Sequence, residues 1–351
     1  MHEAMLYDRI GQARVRCRLC SHRCTIADGE RGVCRVRKNE AGTLYSLVYG
    51  RVIARDVDPI EKKPLFHVYP GTLAYSIATV GCNFTCQHCQ NHYISQYPRH
   101  HDDHIVGDPV APADIVADAV ASGCHAIAYT YTEPTIAIEY ALDVMREARD
   151  AGLCNVWVSN GYFTAEAAAE IVPLLDAANI DLKGISDRMI HEVTGGNVRP
   201  VLDTIERLVE AGVWVEVTTV VIPGVNDATD DLRWTAEAIY GLSANIPWHI
   251  SRFFPAYRMV NLPPTPVRTL ESAKAIGEEV GLSFVYIGNV PGEGESTHCP
   301  SCGTKLIARS GYLVRELRLV DGACPACGAP LPGVWFDAPR MPDPSANPET
   351  R

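Results

Sequence analysis

The chain contains no run approaching the ~20 consecutive apolar residues that a membrane helix needs. Its first 17 residues also lack the apolar core of a signal peptide. The expected location is therefore the cytoplasm, with no membrane as a partner. There is no surplus of positive charge either: 31 Lys and Arg against 42 Asp and Glu leave a net charge of −11. Such a balance repels phosphate backbones and makes nucleic acid an unexpected partner. No internal repeat is present.

The chain does have an abundance of cysteine. An odd total of 13 cannot pair completely as disulfides, and a reducing cytoplasm keeps thiols free or bound to metal. The cysteines fall into groups: Cys17, Cys20, Cys24 and Cys34; then Cys82, Cys86 and Cys89; then Cys299, Cys302, Cys324 and Cys327. Cys124 and Cys154 stand alone, each beside a predicted helix-to-strand turn, and are expected to be buried structural thiols.

Between residues 72 and 289, short apolar or β-branched runs alternate with stretches of helical period. Strands are expected at Leu73–Thr79, Ala126–Tyr131, Asn155–Ser159, Ile180–Leu182, Trp214–Ile222, Trp248–Phe253 and Ser283–Ile287. Helices are expected at Ala113–Ala121, Thr135–Ala151, Ala165–Ala177, Pro200–Ala211, Asp230–Gly241 and Leu270–Val280. This alternation predicts an α/β fold with a parallel sheet and crossover helices. The unit count is that of an incomplete (β/α)6-type barrel. Around it we expect an N-terminal Cys-rich module at 1–50, a linker at 51–71, a C-terminal Cys-rich ribbon at 290–336 and a disordered tail at 337–351.

The segment Gly81-Cys-Asn-Phe-Thr-Cys-Gln-His-Cys-Gln-Asn91 follows directly on the first expected strand. Three thiolates in eight residues can grip one face of a metal centre, and no fourth cysteine lies nearby. Iron–sulfur clusters normally take four thiolates, so three leave one iron open. A zinc ion completed by His88 or His92, and three unrelated buried thiols, are the alternatives. In parallel βα barrels, ligand groups gather at the C-terminal ends of the strands. Reading past each run here finds Thr132 and Glu133, then Asn160, then Asp181 and Lys183, then His249.

Cys-x3-Cys-x2-Cys at the end of such a strand resembles the signature of the radical SAM superfamily. The resemblance implies a [4Fe–4S] cluster on Cys82, Cys86 and Cys89. Its open iron binds the amino and carboxylate groups of S-adenosylmethionine, and its reduction yields a 5′-deoxyadenosyl radical that abstracts hydrogen from the substrate. Thr132-Glu133-Pro134 is similar to the family's Gly-Gly-Glu-Pro element but lacks both glycines. By the same resemblance Asn160 and Asp181 would face the ribose or methionine. Lys183 would pair with the methionine carboxylate or with Asp181, and His249 or His88 would meet adenine. A helix-start carboxylate for Glu133, a structural ion pair for Asp181 and Lys183, and a satisfied core histidine for His249 are the competing roles.

The flanking groups read as metal modules. Cys-Pro-Ser-Cys-Gly303 and Cys-Pro-Ala-Cys-Gly328, with 21 residues between Cys302 and Cys324, fit a four-thiolate zinc ribbon. Each glycine permits the positive φ of a tight turn, and Tyr312–Leu319 can supply strands. Cys17-x2-Cys20-x3-Cys24-x9-Cys34 is less regular. A second structural zinc is the expectation there, with an accessory cluster or reduced thiols as alternatives and His22 as the one local histidine able to substitute. Arg99–His104 is expected to be a solvated loop.

Taken together, the terminal cysteine module, Asp58-Pro-Ile-Glu-Lys-Lys-Pro64, Cys-Gln-Asn91, Tyr131-Thr-Glu-Pro134, Ser159-Asn-Gly161 and Tyr286-Ile-Gly-Asn289 resemble the radical SAM member of the AmmeMemoRadiSam system, a group similar to pyruvate formate-lyase activating enzymes. That resemblance implies a one-electron donor, flavodoxin or ferredoxin, and a protein or small-molecule substrate. A glycyl-radical activase is one alternative within it, and a non-catalytic metal and iron–sulfur binding module is an alternative outside it.

Overall fold

The computed structural model describes residues 1–290 and 294–335; the expected tail at 337–351 lies outside them. Its centre is an eight-stranded sheet. The strands are β1 (Ala54–Pro59), β2 (Leu73–Ala78), β3 (Ala126–Tyr129), β4 (Cys154–Ser159), β5 (Ala177–Asp181), β6 (Trp214–Val221), β7 (Trp248–Arg252) and β8 (Val285–Gly288). They lie side by side in chain order, with β2 to β8 parallel and β1 antiparallel on the edge of β2. Because crossovers are right-handed, parallel strands added always on the same side put all their helices on one face. The sheet therefore curls like a barrel and stays open between β8 and β1.

The connecting helices are α1 (Pro112–Ala121), α2 (Ile138–Asp150), α3 (Ala165–Ile171), α4 (Asp187–Thr194), α5 (Val198–Glu210), α6 (Thr229–Leu242) and α7 (Val267–Val280). In α5 the buried residues Val198, Val201, Thr204, Ile205 and Leu208 recur at one-turn spacing, so one stripe faces the sheet. Strand β3, Ala-Ile-Ala-Tyr, is buried at all four positions, as a strand covered on both faces must be.

Three expected elements are redrawn. The helix expected at Ala165–Ala177 ends at Ile171, where Pro173 removes a donor and crowds the preceding turn; the chain tightens into a 3-10 turn at Val172–Leu174. The helix expected from Thr135 begins as a 3-10 turn at Pro134–Ala137. The expected linker at 51–71 contains β1, whose exposed Arg55 and Asp56 suit a sheet edge protected by charge. Helix α4 is not among the expected elements. It is short, buries only Ile190 and Thr194, and is capped by the Ser186 hydroxyl.

The N-terminal module has two small antiparallel sheets. Its Val15, Leu19, Ile26 and Leu44 merge into the barrel core rather than forming a core of their own. The C-terminal module packs Leu306, Ile307 and Leu331 on Phe66, Phe284 and Tyr286 of the barrel. A buried guanidinium fastens it: Arg309 donates to the Phe66 carbonyl at 2.6 Å and to Thr297 Oγ1 at 2.8 Å. Its Nε also lies 3.5 Å from Glu61, with both side chains fully enclosed.

Candidate cofactor site at the carboxyl edge of the sheet

The chain leaves β2 through Gly81, where φ is +97°. A Cβ there would stand 2.5 Å from Val36 Cγ1 and 3.0 Å from the Cys34 carbonyl oxygen, so only glycine passes the N-terminal module at this point. The loop beyond carries Cys82, Cys86 and Cys89. Hydrogen bonds hold it on several sides: Thr85 N–H and Gln87 N–H donate to the Thr194 and Val193 carbonyls at the end of α4, and Gln96 Nε2 donates to the Phe84 carbonyl. Helix α4 thus serves as a buttress for the cysteine loop.

The three thiols open onto a cavity of about 590 Å3, within the usual range for a small-molecule site. Thr132, Glu133, Asn160, Asp181, Lys183 and His249 line the same cavity. Barrel topology gathers them there from four parallel strands: Thr132 and Glu133 follow β3, Asn160 follows β4, Asp181 ends β5 with Lys183 just beyond it, and His249 lies within β7.

Glu133 is buried and organises two strand ends. Its Oε1 accepts from Thr135 N–H at 3.1 Å, Thr135 Oγ1 at 2.5 Å and Ser159 Oγ at 2.8 Å, while Oε2 accepts from Asn160 N–H at 2.9 Å. Burial raises its pKa against these donors. Asn160 Nδ2 in turn donates to Asn83 Oδ1 at 2.7 Å, tying β4 to the cysteine loop. Lys183 Nζ meets Asp181 at 2.9 Å. Burial opposes the Lys183 charge, but Asp181 and the neighbouring Cys86 outweigh it and raise its pKa. His249 lines the cavity, yet its Nε2 is committed to Glu216 at 2.6 Å. Glu216 also accepts from the Phe66 and His67 N–H groups and Trp214 Nε1, so the histidine is a satisfied floor residue as well as a wall. His88 is buried, and that burial, with Lys183, lowers it to about 3; its Nδ1 has no partner among the described residues.

Residues 61–64, with Asp58 behind them, are the part of the site that the periodic pattern does not reveal. Lys63, almost fully buried, lies 2.6 Å from Asp58 and 4.4 Å from the Tyr131 ring centre, and it lines the cavity. Burial pulls Lys63 down to about 8 against the support of Asp58. Burial would raise Asp58, but Lys62, Lys63 and the Tyr131 hydroxyl override it and hold the carboxyl well below its usual range. The signal was present as paired opposite charges between two prolines, which reads equally well as a solvated linker.

The three cysteine groups differ in spread. In the C-terminal group the Sγ atoms of Cys299 and Cys327, and of Cys302 and Cys324, are each 3.7 Å apart, and all four lie within 4.8 Å of one another. Zinc–sulfur bonds of about 2.3 Å place tetrahedral thiolates about 3.8 Å apart. The two knuckles repeat one bonding pattern: Gly303 and Gly328 N–H donate to Cys299 and Cys324 carbonyls, with φ of +74° at both glycines. The ribbon strands are Lys305–Ser310 and Leu313–Leu317, so one begins upstream of the expected Tyr312–Leu319. Among the described residues this is the one group of three or more His, Cys, Asp or Glu ligand atoms so closely drawn together. Neither the Cys82, Cys86, Cys89 trio nor the N-terminal quartet contracts to zinc dimensions. A cluster of several irons spreads its thiolates wider, since each binds its own iron. Burial pushes Cys86 up to about 12 and Cys82 well above the ordinary thiol range, so as thiolates they call for a bound cation. The trio therefore fits an iron–sulfur cluster.

A model of the radical SAM superfamily matches residues 76–235, from within β2 into α6. The chain belongs to the radical SAM superfamily. Membership brings with it a [4Fe–4S] cluster and S-adenosylmethionine as cofactors, a need for a reductant, and an expectation of enzymatic activity. The chain is 44% identical to the uncharacterized protein MJ0808 of Methanocaldococcus jannaschii, over 93% of this chain and 98% of the relative. Among solved structures, a radical SAM methyltransferase from Sphaerobacter thermophilus is 16% identical with a TM-score of 0.50, covering 63% of this chain and 68% of its own. SuiB of Streptococcus suis, solved bound to S-adenosylmethionine, is 9% identical with a TM-score of 0.50, covering 66% of this chain and 53% of its own. These two similarities concern the fold.

The remaining expectations find these places. Cys124 and Cys154 are buried. His22 Nε2 is taken up by the Asn83 carbonyl at 2.8 Å. The solvated loop expected at Arg99–His104 begins only at His101: Arg99 and His100 end a short helix, Tyr97–His100, where Arg99 donates to the Val33 carbonyl and His100 bonds the Tyr257 hydroxyl, while His101 and Asp102 beyond it are exposed. No helix among the described residues is long and apolar enough to cross a membrane.

Proposed function

We propose that the chain holds a [4Fe–4S] cluster on Cys82, Cys86 and Cys89 and reductively cleaves S-adenosylmethionine, directing the resulting radical at a protein or small-molecule substrate in the same cavity. One observation carries this reading: three thiols that are not drawn together as the C-terminal quartet is share a cavity with six polar residues from four of the barrel strands. When bound, the reduced cluster supplies the electron that breaks the carbon–sulfur bond and yields a 5′-deoxyadenosyl radical.

The chain's own residues do the holding. Glu133 Oε1 already takes three donors and Oε2 only one, so Oε2 keeps capacity for the cofactor ammonium. Thr132 is fixed by its bond to the Thr79 carbonyl, beside that oxygen's approach. Lys183 serves the methionine carboxylate, while Asn160 and Asp181 serve the ribose. His249 and His88 are the rings available to adenine. Lys63 and Tyr131, held from behind by Asp58, form another part of the wall, where the substrate would meet a cation and an aromatic face together. The C-terminal quartet closes a structural zinc site with no open position. The reductant is a small one-electron carrier, a flavodoxin or ferredoxin, and the compartment is the cytoplasm. The chain's place in the family is as the radical SAM member of the AmmeMemoRadiSam system, and a glycyl-radical activase is the alternative reaction within the same chemistry.

Anaerobic reconstitution with iron and sulfide, then dithionite and S-adenosylmethionine, should produce 5′-deoxyadenosine. Cys86→Ala should abolish that product and leave zinc content intact. Undiminished product from the variant would overturn the assignment, and a wild-type chain that binds iron yet never cleaves would reduce it to a metal-binding module.

A further inference from the structure

The N-terminal quartet stands outside the site described above. Its four thiols are drawn into one neighbourhood by the backbone. Cys17 N–H donates to the Cys24 carbonyl at 2.9 Å, closing a loop that carries Cys20. Val33 N–H donates to Cys24 Sγ at 3.5 Å, bringing the adjoining Cys34 to the same place. Gly32 supplies a cradle, since a Cβ there would meet Ile26 at 3.3 Å and Cys24 Sγ at 3.7 Å. Three of the four cysteines are buried.

We infer that Cys17, Cys20, Cys24 and Cys34 hold a second iron–sulfur cluster and not a zinc ion. Size is the first reason. These four sulfur atoms are not drawn into one tight group, whereas those of the C-terminal quartet in the same chain all lie within 4.8 Å of one another. Four thiolates set apart in this way match a polynuclear centre, which takes four cysteines.

The second reason is the setting. Arg37, only 1% exposed, donates to Cys17 Sγ at 3.2 Å. Its other nitrogen reaches the Met5 carbonyl and the Glu139 carboxylate, and its Nε is left without a partner among the described residues. Hydrogen bonds and charge at the sulfurs are what stabilise and tune such clusters. A buried guanidinium with a donor to spare beside a cysteine sulfur is that device, and among the described residues no arginine is bonded to a sulfur of the C-terminal knuckles.

The third reason is position. The Cys34 carbonyl presses on Gly81, Cys20 forms a bridge with Phe163, and His22 bonds Asn83 beside Cys82. The quartet thus shares a wall with the cysteine loop of the main site.

This inference does not depend on the reading of the main site. The full chain, purified and reconstituted anaerobically with ferrous iron and sulfide, is analysed for iron, acid-labile sulfide and zinc, and by Mössbauer spectroscopy. Iron in the amount of two clusters with zinc in the amount of a single ion is expected. The chain carrying Cys82→Ala, Cys86→Ala and Cys89→Ala should keep a brown chromophore and the iron of one cluster, whatever the main site binds; Cys17→Ser with Cys24→Ser should lose the iron of one cluster. Zinc in the amount of two ions, with an iron-free triple variant, overturns the inference. If the triple variant fails to fold, the Cys17→Ser, Cys24→Ser chain decides: loss of one cluster's iron with one zinc ion retained supports the inference, and unchanged iron with loss of a zinc ion overturns it.

Discussion

The cysteine loop at Cys82 and the knuckles at Cys299 and Cys324 both contain Cys-x2-Cys, yet they come to opposite ends. In the C-terminal module two knuckles face each other and their sulfurs converge at 3.7 Å, leaving no place for an external ligand. In the barrel a single loop presents three sulfurs to a cavity, and the groups opposite are carboxylate, ammonium, amide and imidazole. The spacing of cysteines therefore does not distinguish a structural from a reactive centre. What faces them does: a second knuckle closes the coordination, and a ring of strand ends leaves it open.

The sharpest way to break this contrast is to remove a sulfur from each region. Cys89→Ala should reduce 5′-deoxyadenosine formation to the level seen without reductant. Cys324→Ala should release zinc and lower thermal stability while cleavage persists at low temperature. Metal analysis and product chromatography of both chains check the pair, and an exchange of these phenotypes would refute the division of labour.

A smaller effect is expected where the two regions join. Arg309→Met leaves Glu61 buried without its cation, a change that costs about 3–5 kcal/mol. Urea unfolding should show that loss, and limited proteolysis should release the C-terminal module first.

Acid should loosen the same joint. His67 Nδ1 donates to the Pro332 carbonyl and Nε2 of the neutral ring accepts from the Tyr286 hydroxyl, and burial lowers its pKa to about 4 against the pull of Glu216. Between about pH 6.5 and 4 the unfolded chain binds this proton and the folded chain does not, so stability rises with pH across that window. The contribution is complete above the upper value and is lost as pH falls, amounting to about 3 kcal/mol. Unfolding free energies at pH 7 and pH 5 should differ less in a His67→Gln chain.

The smallest expected effect sharpens the open side. Glu133→Gln keeps the shape but removes the charge, and should weaken S-adenosylmethionine binding by about 1.5–3 kcal/mol while iron content stays constant. Equilibrium binding to the reconstituted, unreduced chain measures it.

Much of the barrel was legible because buried parallel strands and one-stripe helices leave strong periodic marks, as Ala126–Tyr129 and Val198–Glu210 show. Polar residues after each apolar run were legible for the same reason, and all six line one cavity. Strand β1 was not, because an edge strand can be charged and resemble a linker. Lys63 was hidden with it, since nothing local says that a lysine between prolines is buried under a tyrosine ring. The early end of α3 was announced by Pro173, but the apolar pattern continued past it.

By itself, the sequence determined the βα order, the position of three thiols at the end of a strand and the pairing of the terminal knuckles, all of which are local spacings. Tertiary structure alone decided how far apart each set of sulfurs stands, which charges are enclosed and that residues 61–64 form part of the wall of the site. Those are distances between segments remote in the chain, set by how the sheet curls and what packs against its open edge.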